Sequence, residues 1–307
     1  MTSNRSRGTP DWSRLDELFS DATASGKWVQ LLIFPGFFTP GWALKGVKTD
    51  QFPLQYGPGN GKIETLPMPW DEVYLTRWFA FLKQLSDRYG NSAALRLVAA
   101  DGPTSVSAEA TLPNSPADLK QWQRDSYTPS KYAGAWQTVF QTYAADFPNQ
   151  DVSLSLGGGL HINDAGKIDS GQNSRTRQKV VDEGIAILGH RFGLQYSNLD
   201  GTSHPDAQGG IDFVMGYNGR AVTGFQMRSS VSGKGMGSDG DPPPLVLRKA
   251  IDKGMRPNGA GRHIDYLEIY EPDVLAADLQ PVLRYGASLF EPTPPKVPRI
   301  PCGTQCQ

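Results

Sequence analysis

Apolar residues recur at helical spacing through PDWSRLDELFSDATASGK, at Trp12, Leu15, Leu18, Phe19 and Ala22. Pro10 suits a first helical turn and Gly26 a C-terminal stop, so the chain is expected to open on an amphipathic helix. WVQLLIF (28–34) follows as a nearly continuous apolar run, the pattern of a strand buried on both faces. The same alternation then repeats. DEVYLTRWFAFLKQLSDRYG reads as a helix ending at Gly90, and ALRLVAA (94–100) as a strand. SKYAGAWQTVFQTYAADFP reads as a helix stopped by Pro148, and DVSLSLG as a strand. RTRQKVVDEGIAILGHR is a helix, FGLQYS (192–197) a strand, and 206–215 a further helix. VTGFQM, PLVLRKAIDKG and HIDYLEIY then read as strand, helix and strand. In the closing helix, VLAADLQPVLRYGASLF, Pro281 predicts a kink or a break.

Strands alternating with helices imply parallel strands joined by crossovers. Long aromatic loops after the strands fit a TIM-type (β/α) barrel with its chemistry at the C-terminal strand ends. The rival is a doubly wound open sheet. No Gly-rich phosphate loop follows the first strand, and GKGMGSDGD (233–241) has no strand directly before it, so it reads as a loop. Six strands are read where a closed barrel needs eight. The missing pair could lie between Leu44 and Leu66, or the barrel is incomplete at its N-terminal end. An incomplete barrel leaves an open flank, which a second copy of the chain would cover as a homodimer. The domain reading is one barrel over 1–290 and a Pro-rich tail over 291–307.

The formal charge of −1 over 307 residues argues against nucleic acid, which needs a basic face. No apolar run approaches a membrane span, and MTSNRSRGTPDW lacks the apolar core of a secretory signal, so a cytoplasmic location is expected unless the chain is a fragment. The two cysteines, in PCGTQC, are too few for a structural zinc site and read as a local disulfide or idle thiols. The four histidines do not show metal spacing, and NDAGKIDSG lacks the order of a calcium loop. Neither a metal nor a cofactor is expected.

DWSRLDELFSDATASGKWVQLLIFPGFFTPGW, with Pro40, Gly41 and Trp42 after the strand, resembles a stretch of clan-A glycoside hydrolases, notably family-42-like β-galactosidases. PWDEVYLTRWFAFLKQLSDRYG resembles the helix before their acid/base strand, and YLEIYEPDV a strand end that carries an active-site glutamate. The likeness covers Asp11 to Leu289 loosely. It implies a retaining mechanism, in which one carboxyl protonates the leaving oxygen and a second attacks the anomeric carbon. In such proteins two further strands precede the DW helix. The strand at Ala94 then counts as the fourth, and its outgoing loop, DGPTSVSAEATLP, supplies Glu109 as acid/base. The seventh strand should end in the nucleophile, yet VTGFQM offers Gln226 and no carboxylate. Glu268, on the strand after it, is the carboxylate available.

Strand alternation sets Leu267 and Ile269 toward the helices and Tyr266, Glu268 and Tyr270 toward the barrel interior. Glu268 is therefore a second catalytic candidate, or a buried ion-pair partner of Arg96 or Arg228. Asp273 is expected to cap the final helix. Asp101, at the strand end itself, rivals Glu109. Trp42 and Trp70 are stacking candidates for a sugar ring, and His161, Tyr196, Asn198, Gln226 and Tyr270 are candidates for polar contacts to an oligosaccharide or other small-molecule substrate. Two alternatives remain. One is an esterase using Ser197 or Ser105 with His161 or His204, although no G-x-S-x-G elbow is present. The other is a non-catalytic sugar binder.

Overall fold

The computed structural model describes residues 10–54, 59–106, 109–202, 209–255 and 264–290. The fold is α/β. Six strands form one sheet: β1 (Val29–Leu31), β4 (Leu95–Ala99), β5 (Asp151–Ser155), β6 (Phe192–Leu199), β7 (Val222–Met227) and β8 (Tyr266–Glu268). They are hydrogen-bonded in that order, and β1, β4, β5 and β6 pair in parallel. The order follows the chain without the reversal that marks a doubly wound sheet. It is compatible with an incomplete (β/α) barrel.

The six strands are those read from the sequence, but the segment considered for two more barrel strands does something else. β2 (Thr49–Pro53) and β3 (Ile63–Pro67) pair antiparallel as a separate two-stranded sheet. Phe52 explains how the hairpin is anchored: its fully buried ring stacks on Trp122, centroids 4.5 Å apart. Trp122 lies on α3 (Pro116–Arg124), a helix the periodicity reading passed over, which opens with a capping box of Ser115 and Asp118.

By contact density the chain divides into two compact units, 1–197 with 212–224, and 198–211 with 225–307. In the first, α1 (Ser13–Ala24) precedes β1; Pro10 falls short of its first turn, and Gly26 takes a left-handed φ of 64° just past its end. β1 is shorter than the apolar run predicts, and Trp28, Leu32 and Phe34 around it are exposed, so it is not buried on both faces. The helices α2 (Glu72–Tyr89), α4 (Pro129–Asp146) and α5 (Gln172–Leu188) carry the apolar stripes expected of them. Register then assigns faces. Parallel partners share a face, and Val98 pairs with Val152, which pairs with Phe192. Phe192 meets Phe140 of α4 edge-on and lies against Gly184 of α5, so this is the helix-covered face. The opposite face carries Ser153, Ser155, Gln195 and Ser197, all buried.

In the second unit, α6 (Gly210–Met215) overlaps the boundary, and α7 (Pro243–Gly254) follows β7. Gly254 packs where any Cβ would meet Leu199 at 2.8 Å. β8 departs from the sequence reading. It has three residues rather than eight, and Tyr266, Leu267 and Glu268 are all half-buried, so the in-and-out alternation expected of a buried strand is absent. Its place at the end of the strand order gives the reason, since a terminal strand is covered on one side only. The closing helix breaks ahead of Pro281, into α8 (Glu271–Leu275), a 3-10 turn and α9 (Gln280–Leu289). Asp273 is not its cap. The buried side chain instead accepts hydrogen bonds from Ser230 Oγ at 2.6 Å and Val231 N at 3.0 Å. His204, His263, the two cysteines and the Pro-rich tail lie outside the described residues.

Candidate functional site

The chemistry-bearing groups of the first unit collect where β4, β5 and β6 end. β4 runs into Asp101, which is fully buried. Its main chain is held at both ends, by Trp78 Nε1 donating to the carbonyl at 2.8 Å and by its own N–H donating to Tyr143 Oη at 3.2 Å. Its Oδ2 receives only a long bond of 3.4 Å from the Ile33 amide, and no donor reaches Oδ1 among the described residues. Burial pushes this carboxyl well above the ordinary aspartate range, because an apolar setting disfavours the charged form.

The chain then loops back over the sheet. Gly36, at φ 62°, brings the β1 loop so close that a Cβ there would lie 2.2 Å from the Ser105 carbonyl, which also accepts from Phe37 N at 2.9 Å. Ser105 Oγ donates to the Thr111 carbonyl, so that hydroxyl is committed to shaping the loop. At its far end the loop bridges to β5: Glu109 pairs with Ser155, and Ala110 N donates to the Ser155 carbonyl at 3.1 Å. The approach requires glycine opposite, since a Cβ on Gly157 would meet the Ala110 carbonyl at 2.0 Å.

This bridge sets the Glu109 carboxyl against the polar face of the sheet. Burial pushes its pKa up, and a hydrogen bond from Ser197 opposes that without reversing it. Ser197 Oγ lies 2.8 Å from Ser155 Oγ, and Gln195 Nε2 approaches Ser197 Oγ at 3.5 Å. The result is a desolvated carboxyl at the C-terminal end of parallel strands, attached to a hydroxyl relay. Such a group keeps its proton to higher pH than an exposed glutamate does, as general acid chemistry requires.

The other candidates are placed separately. Tyr196 lies on the helix-covered face with Phe192 and Leu194, opposite Ser155 and Ser197, because its position in the strand is odd with respect to theirs. His161 is held in its own loop, with Nδ1 3.0 Å from the Ser170 carbonyl. Trp42 is exposed in a 3-10 turn, Gly41–Leu44. Trp70 is half-buried between Trp122 and Tyr127, with Lys131 Nζ 5.9 Å from its ring centre. It lines a surface pocket of about 310 Å³ with Lys48, Met68, Asp71, Glu72 and Val73. In the second unit, Gln226 is half-buried in β7, Asn198 is exposed in β6, Glu268 is half-buried in β8, and Tyr270 is exposed at the N-cap of α8.

Sequence reasoning named Glu109 and Ser197 separately and missed Ser155, Gln195 and their connection. A signal was present: DVSLS and GLQYS alternate polar with apolar, and the polar members are the ones that share a face. It also missed a second acidic pair, Asp50 on β2 and Asp125 at the end of α3, which combine distant stretches of chain. Among the described residues no group of three His, Cys, Asp or Glu side chains is placed to hold a metal, and no helix is long and apolar enough to cross a membrane. No protein-family model matches the chain, and no curated protein matches it.

Proposed function

We propose that this protein hydrolyses glycosidic bonds, with Glu109 as the proton donor to the leaving oxygen. The observation that carries the reading is the state of that carboxyl: desolvated, with its pKa raised, and hydrogen-bonded by Ser197 beside the C-terminal ends of parallel strands. Barrel enzymes gather catalytic side chains at that end of the sheet, and a glycosidase needs one carboxyl protonated at working pH. The resemblance to clan-A glycoside hydrolases points the same way. The sequence alone offers Glu268 as the second carboxylate, the nucleophile.

A panel of chromogenic aryl glycosides tests the reading. Turnover of at least one of them, reduced by Glu109→Gln on the order of 10²–10⁴-fold in kcat/KM, is expected of a lost general acid. Glu109→Ala should regain turnover of activated substrates when azide is supplied, because azide replaces the water that Glu109 would otherwise activate. A panel with no turnover, or full activity in Glu109→Gln, would refute the assignment.

The hydroxyl pair favours one second reading, an ester hydrolase using Ser197 or Ser155. A serine nucleophile needs a base within reach, and His161 is bonded to Ser170 instead. Turnover of p-nitrophenyl esters, lost when a serine is covalently modified, would favour it over the first.

A further inference from the structure

We propose that the β1 edge of the sheet is an interface with a second copy of this chain. β1 stands at one end of the strand order among the described residues and pairs with β4. Along it runs an exposed apolar strip: Trp28 at 71% exposure, Leu32 at 36% and Phe34 at 49%, followed by Phe38 at 56% and Trp42 at 54%. Val29 and Leu31 within the strand are buried, whereas Trp28, Leu32 and Phe34, which flank it, are exposed. Phe34 and Phe38 continue the strip into the loop, with ring centres 6.1 Å apart.

The area is what a dimer needs. At roughly 200 Å² for a full large side chain, the five exposures amount to on the order of 500 Å² of apolar surface. A standard interface takes about 800 Å² from each partner, a little over half of it apolar. An exposed apolar surface of that size is often a functional one.

Trp28 precedes β1, and Leu32, Phe34, Phe38 and Trp42 follow it. A strand edge is self-complementary. Two copies of β1 related by a two-fold axis meet antiparallel and cover each other's strips with one surface. Arg96 fits this arrangement, because it already lies 5.5 Å from the Trp28 ring centre and 3.5 Å from Asp151, so its charge is accommodated within one copy.

Sedimentation of the full chain tests the interface. The expected species has twice the 33.5 kDa chain mass at micromolar concentration. Trp28→Glu and Phe34→Glu, each at an exposed position that leaves folding intact, should raise the dimer Kd on the order of 100-fold, because both copies then present the charge across the axis. Ile63→Glu, an exposed apolar position on the β2–β3 hairpin, should leave it unchanged. The proposal is overturned by a monomer at roughly 100 μM, above the weakest Kd usual for an interface of this size. A dimer indifferent to both edge substitutions, or aggregates of no fixed stoichiometry, overturn it equally.

Discussion

Replacing Asp125 by Asn should stabilise the protein near neutral pH and leave it unchanged in acid. Asp125 ends α3, and Asp50 lies on the hairpin that stacks on that helix. Burial first, and then the Asp50 carboxyl beside it, push the Asp125 pKa from 3.8 up to about 6. Asp50 is desolvated too, but hydrogen bonds from Gln121 and from the Gln51 amide hold it below its ordinary value. Among the described residues no N–H donor reaches the buried Asp125 Oδ2, and a proton shared with Asp50 would satisfy it. Lys48, 3.8 Å from Asp125 Oδ1, and Arg124 are the cations facing the pair.

The sign follows from linkage. The folded pKa exceeds the unfolded one, so the contribution of Asp125 to stability is fully present below pH 3.8 and is lost as pH rises through about 6. A rise of about two units corresponds to about 3 kcal/mol. The Asp125 side chain is 14% exposed and the proton is shared, which reduces the expected loss to roughly 1–2 kcal/mol. Asn keeps a donor toward Asp50 and an acceptor toward Lys48 and does not ionise. Asp125→Asn should therefore match the parent at pH 4.0 and exceed it at pH 7.5 by that amount, a gain of roughly 2–6 °C in Tm. Scanning calorimetry of both proteins at the two pH values, at constant ionic strength, measures the difference. An increment that is the same at both pH values, or a variant less stable at pH 7.5, would show that the carboxyls do not share a proton.

Three further outcomes are expected. Glu109→Gln should flatten the pH dependence of stability, since the raised pKa of Glu109 makes the parent lose stability as pH climbs above 4.5, and thermal melts from pH 4.5 to 8 should diverge in favour of the variant. Gly184→Ala would set a methyl 2.2 Å from the ring of Phe192, itself fully buried, and should cost about 1–3 kcal/mol in urea unfolding; no loss would mean that α5 stands further from β6. Asp273→Ala strips the partners from Ser230 and from the buried Val231 amide and should cost about 2–3 kcal/mol, while the glycosidase reading predicts no direct effect on bond cleavage.

The order of helices and strands was legible because periodicity is a local property. The strand positions, the Pro281 break and the stop at Gly26 each depend on a few neighbouring residues, and the chain places them without help from distant contacts. Local pattern could not decide what a segment pairs with. The segment from Leu44 to Leu66 had room for two barrel strands, yet Thr49–Pro53 and Ile63–Pro67 pair with each other, and Phe52 finds Trp122 seventy residues further on. Nor could it decide which face of β6 matters: Tyr196 and Ser197 are adjacent in sequence, and only the register with β5 sends one to the helices and the other to Ser155 and Glu109. A carboxyl's identity is written in the chain, but its pKa depends on the water that distant residues exclude, and that is why Glu109 was visible as a residue and not as an acid.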